Sequence, residues 1–397
     1  MSEAIGAPPG RSKRLPFPAP HAKIMDMKFF RAAVFALAFL SSTYAAERWT
    51  PEQANSWYAK QPWLIGSNYL PAYASNELEM WQAETFDPKR IDLELGWAQN
   101  LGMTTMRVFL HDLLWKQDPD GFKKRIDTFL SICQKHHIRP LFVLFDSCWD
   151  PDPKLGPQPA PRPGIHNSRW VQSPGAKALD DPGEYPRLEA YVKGVVGAFA
   201  SDDRVLGWDI WNEPDNHNNS SYGPQDPKDK TERVLKLLPQ AFAWARAANP
   251  SQPLTSGVWH DVPAAPGAEI PPMAKEQLDL SDIVSFHNYD PPAKFDSEVV
   301  WLDRYHRPVI CTEYMARPQG STFQGILPVA KKDHVGAINW GFVAGKSQTY
   351  LPWDSWQHPY TDRQPPVWFH DIFRENGTPY RPAEVQFIKQ IDGATKQ

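Results

Sequence analysis

The sequence predicts a single (β/α)8 barrel, a TIM barrel, with long loops at the strand ends. Three observations carry that expectation. After Trp49, eight short apolar runs alternate with amphipathic stretches. The runs are apolar on both faces, as in a parallel sheet covered by helices. Finally, 41 of the 397 residues are proline. Each proline removes a backbone donor and ends or kinks a helix, so this content suits many short elements joined by loops.

The predicted strands are Leu64–Tyr69, Thr104–Leu110, Pro140–Phe145, Val205–Trp211, Pro253–Trp259, Asp282–Asn288, Pro308–Glu313 and Val335–Phe342. Helical patterns lie between them. Asp87-Pro88 opens the first, a capping carboxylate followed by proline in the first turn. Ile126, Phe129, Leu130 and Cys133 give the second its i, i+3, i+4, i+7 face. Leu188, Val192, Val195, Val196 and Phe199 do the same for the third, and Val234, Leu235, Leu238, Ala241, Phe242 and Ala245 for the fourth. Shorter helices follow near Met273–Leu278, Ser297–Tyr305 and Ser321–Lys331. Eight such units have the size of one barrel. The rival fold, a doubly wound open sheet, carries a glycine-rich phosphate loop after its first strand. Here that strand runs into Asn68-Tyr69-Leu70-Pro71. No internal repeat or composition break marks a second domain. The longest irregular stretch, Asp146–Gly183, would follow strand three on the active-site rim, and a loop of that length is usually functional.

Composition removes several function classes. Hydrophobic residues make up 41% and charged residues 22%, which excludes wholesale disorder. With 42 basic and 46 acidic residues there is no basic footprint, so nucleic acid is not an expected partner. Three cysteines in this length do not make a disulfide scaffold, and no disulfide is assigned.

The amino terminus is expected to be separate from the barrel. Lys28 and Arg31, the apolar run Ala32–Leu40 and the small residues to Ala46 read as a signal peptide over 25–46. That run is shorter than the roughly 20 residues a membrane span needs, so no stable membrane insertion is expected after cleavage. Residues 1–24 read as a non-native extension, with Met25 or Met27 as the true start, and residues 47–397 as the catalytic domain. Removing 1–46, with its six basic and two acidic residues, leaves 36 basic against 44 acidic side chains, a formal −8. The expected location is secreted or periplasmic.

Strand carboxyl ends carry catalysis in such barrels. Trp208-Asp209-Ile210-Trp211-Asn212-Glu213-Pro214 ends strand four, and Val309-Ile310-Cys311-Thr312-Glu313-Tyr314 ends strand seven. Glu213 and Glu313 would then face each other across the barrel mouth. Two such carboxyls cleave an acetal when one protonates the leaving oxygen and the other, ionised, attacks or activates water. Their surroundings must push the two pKa values apart. A glutamate alone at a strand end is more often a solvated rim residue. The pair, in this register, is not.

These segments resemble clan A glycoside hydrolases, the retaining group that includes family 5 cellulases and mannanases. Trp211-Asn212-Glu213-Pro214 resembles the clan's acid/base motif, and Thr312-Glu313-Tyr314 its strand-seven nucleophile. Phe286-His287-Asn288-Tyr289 resembles its strand-six His-x-Tyr. Met106-Arg107-Val108 resembles the strand-two arginine, and Trp340-Gly341 the strand-eight tryptophan. The resemblance implies a retaining β-glycosidase that needs no cofactor and no metal. Glu213 would be the acid/base and Glu313 the nucleophile, their carboxyls about 5–5.5 Å apart. Asn212 would hold the sugar 2-OH, Tyr289 would hold Glu313, and His287 would sit near Glu213. Arg107 would lower the Glu313 pKa. Trp340 would form the floor under the sugar. One position departs from the pattern. Many family 5 members carry histidine at the end of strand three, where this chain has Asp146-Ser147-Cys148-Trp149.

Seventeen tryptophans suggest a carbohydrate ligand, since sugar C–H faces pack on aromatic rings. Trp149, Trp170, Trp259, Trp340, Trp353 and Trp356 fall in or beside strand-end loops. Trp259 and Trp353 join Arg107, Asn212, His287, Tyr289 and Trp340 as expected substrate-binding residues. His111 and His260 follow strands two and five and are candidates for the same mouth. The expected partner is an oligosaccharide or polysaccharide of β-glucan, mannan or xylan type. Two alternatives stay open: a catalytically inactive carbohydrate-binding barrel and a metal-dependent hydrolase. The second lacks a His-x-His after strand one and a His-Glu-x-x-His anywhere. Sugar identity, internal against terminal cleavage, hydrolysis against transglycosylation and oligomeric state are not encoded legibly.

Overall fold

The computed structural model describes residues 15–16, 47–260 and 269–393. Contacts divide the chain into Met1–Tyr44 and Ala45–Gln397. The extension expected over 1–24 and the signal peptide expected over 25–46 lie outside the described residues, apart from Leu15 and Pro16. Among the described residues, no helix is long and apolar enough to cross a membrane.

Eight parallel strands form the barrel: β1 (Ile65–Asn68), β2 (Thr105–Phe109), β3 (Arg139–Asp146), β4 (Gly207–Asn212), β5 (Leu254–Thr255), β6 (Val284–His287), β7 (Val309–Glu313) and β8 (Gly336–Asn339). Their order in the sheet is β5-β4-β3-β2-β1-β8-β7-β6. A parallel bridge between Val258 and Phe286 closes the remaining seam, with Val258 N–H donating to Ser285 at 3.0 Å and His287 N–H to Val258 at 2.8 Å. Each expected strand overlaps an observed one; β3 extends one residue past the expected run at each end, to Arg139 and Asp146, and β4 runs one residue further, to Asn212. The fifth is the shortest, because its ladder breaks at Ser256-Gly257. A Cβ on Gly257 would press on the Ser285 and Thr312 hydroxyls at 3.2 Å.

One long helix follows each strand: α1 (Pro88–Leu101), α2 (Pro119–Lys135), α3 (Tyr185–Ala198), α4 (Lys230–Ala247), α5 (Pro272–Leu280), α6 (Pro292–Leu302), α7 (Phe323–Lys332) and α8 (Pro382–Asp392). Asp87 caps α1 by accepting from the Lys89 and Arg90 amides, with Pro88 in the first turn, as its sequence implies. The eighth helix is absent from the sequence expectations. The long segment between β8 and Pro382 hides its link to the repeating pattern.

The barrel interior is apolar at its base and polar at its mouth. Leu64, Leu141, Leu206, Ile283, Ile310 and Ile338 pack at the strand starts, where Ala54, Trp57 and Tyr58 of the helix Pro51–Tyr58 cover them. At the opposite end Phe109, Val143, Cys148 and Trp170 form a separate cluster against Trp149 and Trp340. Cys133, Cys148 and Cys311 are all free and buried.

Arg317 ties the end of the chain to the barrel. Its guanidinium donates to both Glu384 carboxylate oxygens, at 3.0 and 2.6 Å, and to the carbonyls of Trp368, His370 and Asp371. Both side chains are buried. Truncating one partner strands the other charge. Arg317→Met should therefore lower the unfolding free energy by about 3–5 kcal/mol in urea denaturation. A loss under about 1 kcal/mol would show that α8 holds on without the pair.

Candidate active site

The site is organised around one buried cation. Arg107 lies on β2, in register with Asn68 of β1, and has no exposed surface. A guanidinium offers five N–H donors in a fixed plane, and here all five are used. Nε and Nη2 donate to Asp209 Oδ2 at 3.0 and 2.8 Å. Nη2 also reaches Asn212 Oδ1 at 2.6 Å. Nη1 reaches Asn68 Oδ1 at 3.0 Å and Glu313 Oε1 at 2.7 Å. Arg107 was expected to bind substrate; it does not line the cleft. Full burial leaves it no face for a ligand, and it acts through Glu313 and Asn212.

Glu213 and Glu313 meet over the mouth. Glu313 ends β7 and Glu213 directly follows β4. Glu213 has φ +41° and precedes Pro214, a backbone state that costs about 1–3 kcal/mol and persists where surroundings over-determine it. The surroundings are Asn216, whose amide donates to Glu213 Oε2 at 2.6 Å, and Cys148, whose Sγ donates to the same oxygen at 3.1 Å. His287 Nδ1 lies 3.0 Å from Glu213 Oε1 and 3.6 Å from Glu313 Oε2. Tyr289 donates its hydroxyl to Glu313 Oε2 at 2.6 Å. A register shift between Phe286 and His287 places His287 opposite Glu313, the kind of bulge that re-aims a side chain. One ligand atom from each of Glu213, His287 and Glu313 falls within 4.8 Å of the others.

Burial dominates the electrostatics. It raises the pKa of both glutamates above the ordinary carboxylate value. On Glu313, His287 and Arg107 oppose that rise without cancelling it, so the lowered pKa expected from Arg107 alone is not what the site gives. Glu313 still has the guanidinium in direct contact, whereas Glu213 is held by an amide and a thiol. Of the pair, Glu313 ionises first and Glu213 keeps its proton longer. Burial pushes His287 down to about 4, so it is neutral at neutral pH. Burial, together with Asp146 and Glu213, raises the Cys148 thiol well above its usual value, so it stays protonated and able to donate.

The cleft above the pair has a volume of about 1040 Å3, at the upper end of the roughly 300–1,000 Å3 range of small-molecule sites. Of the expected binding residues, Asn212, His287, Tyr289, Trp340, Trp259 and Trp353 line it. Trp149 and Trp170 line it too, while Trp356 stacks behind Trp149 at 5.5 Å. His260 lines the rim and pairs with Asp215 at 3.1 Å; Trp259 Nε1 donates to the same carboxylate at 2.7 Å. Burial alone would raise Asp215, but these two partners outweigh it and hold it low. His111 is elsewhere. It is buried, and its Nδ1 caps the helix Asp112–Gln117 by accepting from the Leu113 amide.

Sequence reasoning missed four neighbours of the glutamate pair and its cleft: Asp146, Cys148, His166 and Asn216. Asp146 pairs with Asn212 across β3 and β4 and accepts its amide at 2.9 Å. Cys148 stands where the family pattern departs, which was the available signal. Asn216 lies three residues after Glu213 and could have been suspected from that spacing alone. His166, deep in the long loop, gave none.

Glu213, His287 and Glu313 are the one trio among the described residues with spacing for a metal ion. The set fits poorly. Both Glu313 oxygens are already held, one of them by the Arg107 cation, and a divalent ion would add charge beside that guanidinium.

A donor to the ionised form of Glu213 lowers its pKa. Cys148→Ala should therefore move the basic limb of the pH profile of kcat/KM upward, while Cys148→Ser, which keeps a donor, leaves it near the parent position. Superimposable profiles for all three proteins would show that the thiol does not act on Glu213.

The family model for Cellulase (glycosyl hydrolase family 5) matches residues 164–359. The span carries Glu213, His287, Tyr289, Glu313 and Trp340. A GH5_18 protein from Streptomyces cattleya, solved with Manβ1-4GlcNAc, is 12% identical over 83% of this chain and 80% of its own, with TM-score 0.54. The exo-β-1,4-mannosidase Op5Man5 from Opitutaceae bacterium strain TAV5 is 17% identical over 84% of this chain, with TM-score 0.55; the chain spans 59% of it. The endo-1,4-β-D-mannanase from Thermotoga petrophila RKU-1 is 13% identical over 83% of this chain and 99% of its own, with TM-score 0.51. At these identities the likeness shows the barrel. No curated protein matches the chain. The family match, laid over a barrel mouth where Glu213 and Glu313 face one another, identifies the chain as an O-glycosyl hydrolase similar to family 5 of the cellulase-like clan A.

Proposed function

We propose that the protein is a secreted or periplasmic retaining β-glycosidase that cleaves β-linked glycosides or polysaccharides by double displacement. The observation that carries this reading is the pairing of Glu213 and Glu313, with facing atoms within 4.8 Å. Carboxyls about 5–5.5 Å apart leave no room for a water between carboxylate and sugar, whereas inverting pairs stand about 6.5–9.5 Å apart. Export rests on the basic, apolar and small-residue order of 25–46.

In the first step Glu313, ionised beside Arg107 and Tyr289, attacks the anomeric carbon. The bond from that carbon to the glycosidic oxygen breaks, and Glu213 gives its proton to the departing oxygen. A glycosyl ester on Glu313 and an ionised Glu213 remain. In the second step Glu213 takes a proton from water, the water oxygen bonds to the anomeric carbon, and the ester bond to Glu313 breaks. Two inversions restore the β configuration. Cys148 and Asn216 hold the ionised Glu213 between the steps. Asn212, oriented by Arg107 and Asp146, presents its amide at the mouth, where a sugar 2-OH would sit. Trp340 supplies the apolar floor.

The candidate substrates are β-linked glycosides of glucan, mannan and xylan type. Several structural neighbours are named for β-mannosides or were solved with Manβ1-4GlcNAc, which makes β-mannosides the first to assay.

Glu213→Gln and Glu313→Gln should each reduce hydrolysis of unactivated β-glycosides by at least roughly 10²–10⁴-fold, the range for losing one catalytic group. Proton NMR of the parent reaction should show the β-anomer as first product. Retained activity in either variant, or an α-anomer first, contradicts the assignment.

A further inference from the structure

The two ends of the cleft differ. The residues that line it come from the ends of β4, β6 and β7, from the loops after β3 to β8 and from α6; the loops after β1 and β2 contribute none. On that side stands a partition of three rings. Trp170 meets Phe109 edge-on at 4.9 Å and Trp340 at 5.7 Å, and Phe109 meets Trp340 at 6.0 Å. Trp170 is fixed from behind by its Nε1, which donates to Asp146 at 2.5 Å. Beyond the partition, between Asn68–Leu70 and Gly341–Val343, the remaining space is about 20 Å3. That holds about one water and no sugar.

The partition is held by interlocked loops. The long loop after β3 is bonded to the loop after β8: the Asn167 amide donates to Ser347 at 2.8 Å, the His166 amide to the Ser355 hydroxyl at 2.9 Å, and the Tyr360 amide to Gly164 at 2.9 Å. The loop after β4 joins both. Tyr222 donates its hydroxyl to Ser168 at 3.1 Å, and Gln357 donates its amide to Ser220 at 2.9 Å. In the other direction the cleft continues past Glu213 along Asn219, Ser220, Trp259 and His260, and past Asn288 to Trp301.

We infer that the cleft is blind behind the sugar under attack, and that the enzyme removes one monosaccharide at a time from the non-reducing end of its substrate. The inference rests on the hydrolase reading above, and chemistry sets its direction. The acid must stand beside the leaving oxygen. Glu213, directly after β4, therefore points to where the departing chain runs, which is the open β4–β6 side. The ring attacked by Glu313 lies against Trp340 and Trp170, where the partition leaves no place for a further sugar. A chain interior does not fit; a chain end does.

The test uses the full chain on aryl β-mannoside, β-glucoside and β-xyloside, on the matching aryl biosides, and on pentasaccharides labelled at the reducing end. Aryl monosides should release the aryl group directly. Biosides should release monosaccharide first and the aryl group only after a lag. Labelled pentasaccharide should shorten by one unit per step with the label in the longer fragment, and a soluble polymer should keep its viscosity as reducing sugar accumulates. Immediate aryl release from biosides with intact disaccharide, or an early fall in viscosity, overturns the inference and leaves the hydrolase reading standing. No turnover of any member overturns both.

Discussion

The site depends on a single ion-pair network, that of Arg107. One planar guanidinium satisfies Asn68, Asp209, Asn212 and Glu313 at once. Those four residues come from β1, β4 and β7, so the network closes only when the barrel does. Inside a low-dielectric barrel an unpaired charge is expensive, whereas a fully bonded one fixes its neighbours in place. Lysine could not replace it, because a point charge with three rotatable donors cannot hold four acceptors in one plane.

Around this centre, burial and function pull in opposite directions. Taking Glu213 and Glu313 out of water raises both pKa values, which favours holding a proton and opposes having a nucleophile. For the proposed double displacement, the asymmetry of their partners resolves the conflict. A cation and a phenol serve the group that must be charged; an amide, a thiol and a neutral imidazole surround the group that must carry the proton. The chemical contrast is built from the second layer of residues, not from the glutamates themselves. The tryptophan wall works on another scale: on the proposed reading it sets which part of a carbohydrate reaches the pair.

Most of the barrel was legible in the sequence, because two-faced apolar runs such as Phe142–Phe145 and amphipathic repeats such as Ile126–Cys133 have few other uses. The glutamates were legible because each sits where an apolar run stops. Less visible was whatever depends on three-dimensional closure. Arg107 was readable as a neighbour of Glu313, but its complete burial was not, since nothing local separates a buried arginine from a ligand-facing one. The direction of the Glu313 pKa shift failed for the same reason: the charge of Arg107 could be read, the desolvation could not. The interlocking of the β3, β4 and β8 loops, and with it the blind end, joins residues nearly 200 positions apart, such as Asn167 and Ser347 with Tyr222 between them. Helix α8 escaped notice because the loop before it breaks the rhythm of the repeat.

The central claim is that Glu313 becomes bonded to the sugar. It is tested most directly by mass spectrometry of the protein digested after reaction with an activated 2-deoxy-2-fluoro β-glycoside, whose fluorine slows release of the ester. The account predicts one added sugar on the peptide that contains Glu313, and loss of that adduct in Glu313→Gln. An adduct on another residue, or sustained turnover with no adduct at Glu313, would contradict it.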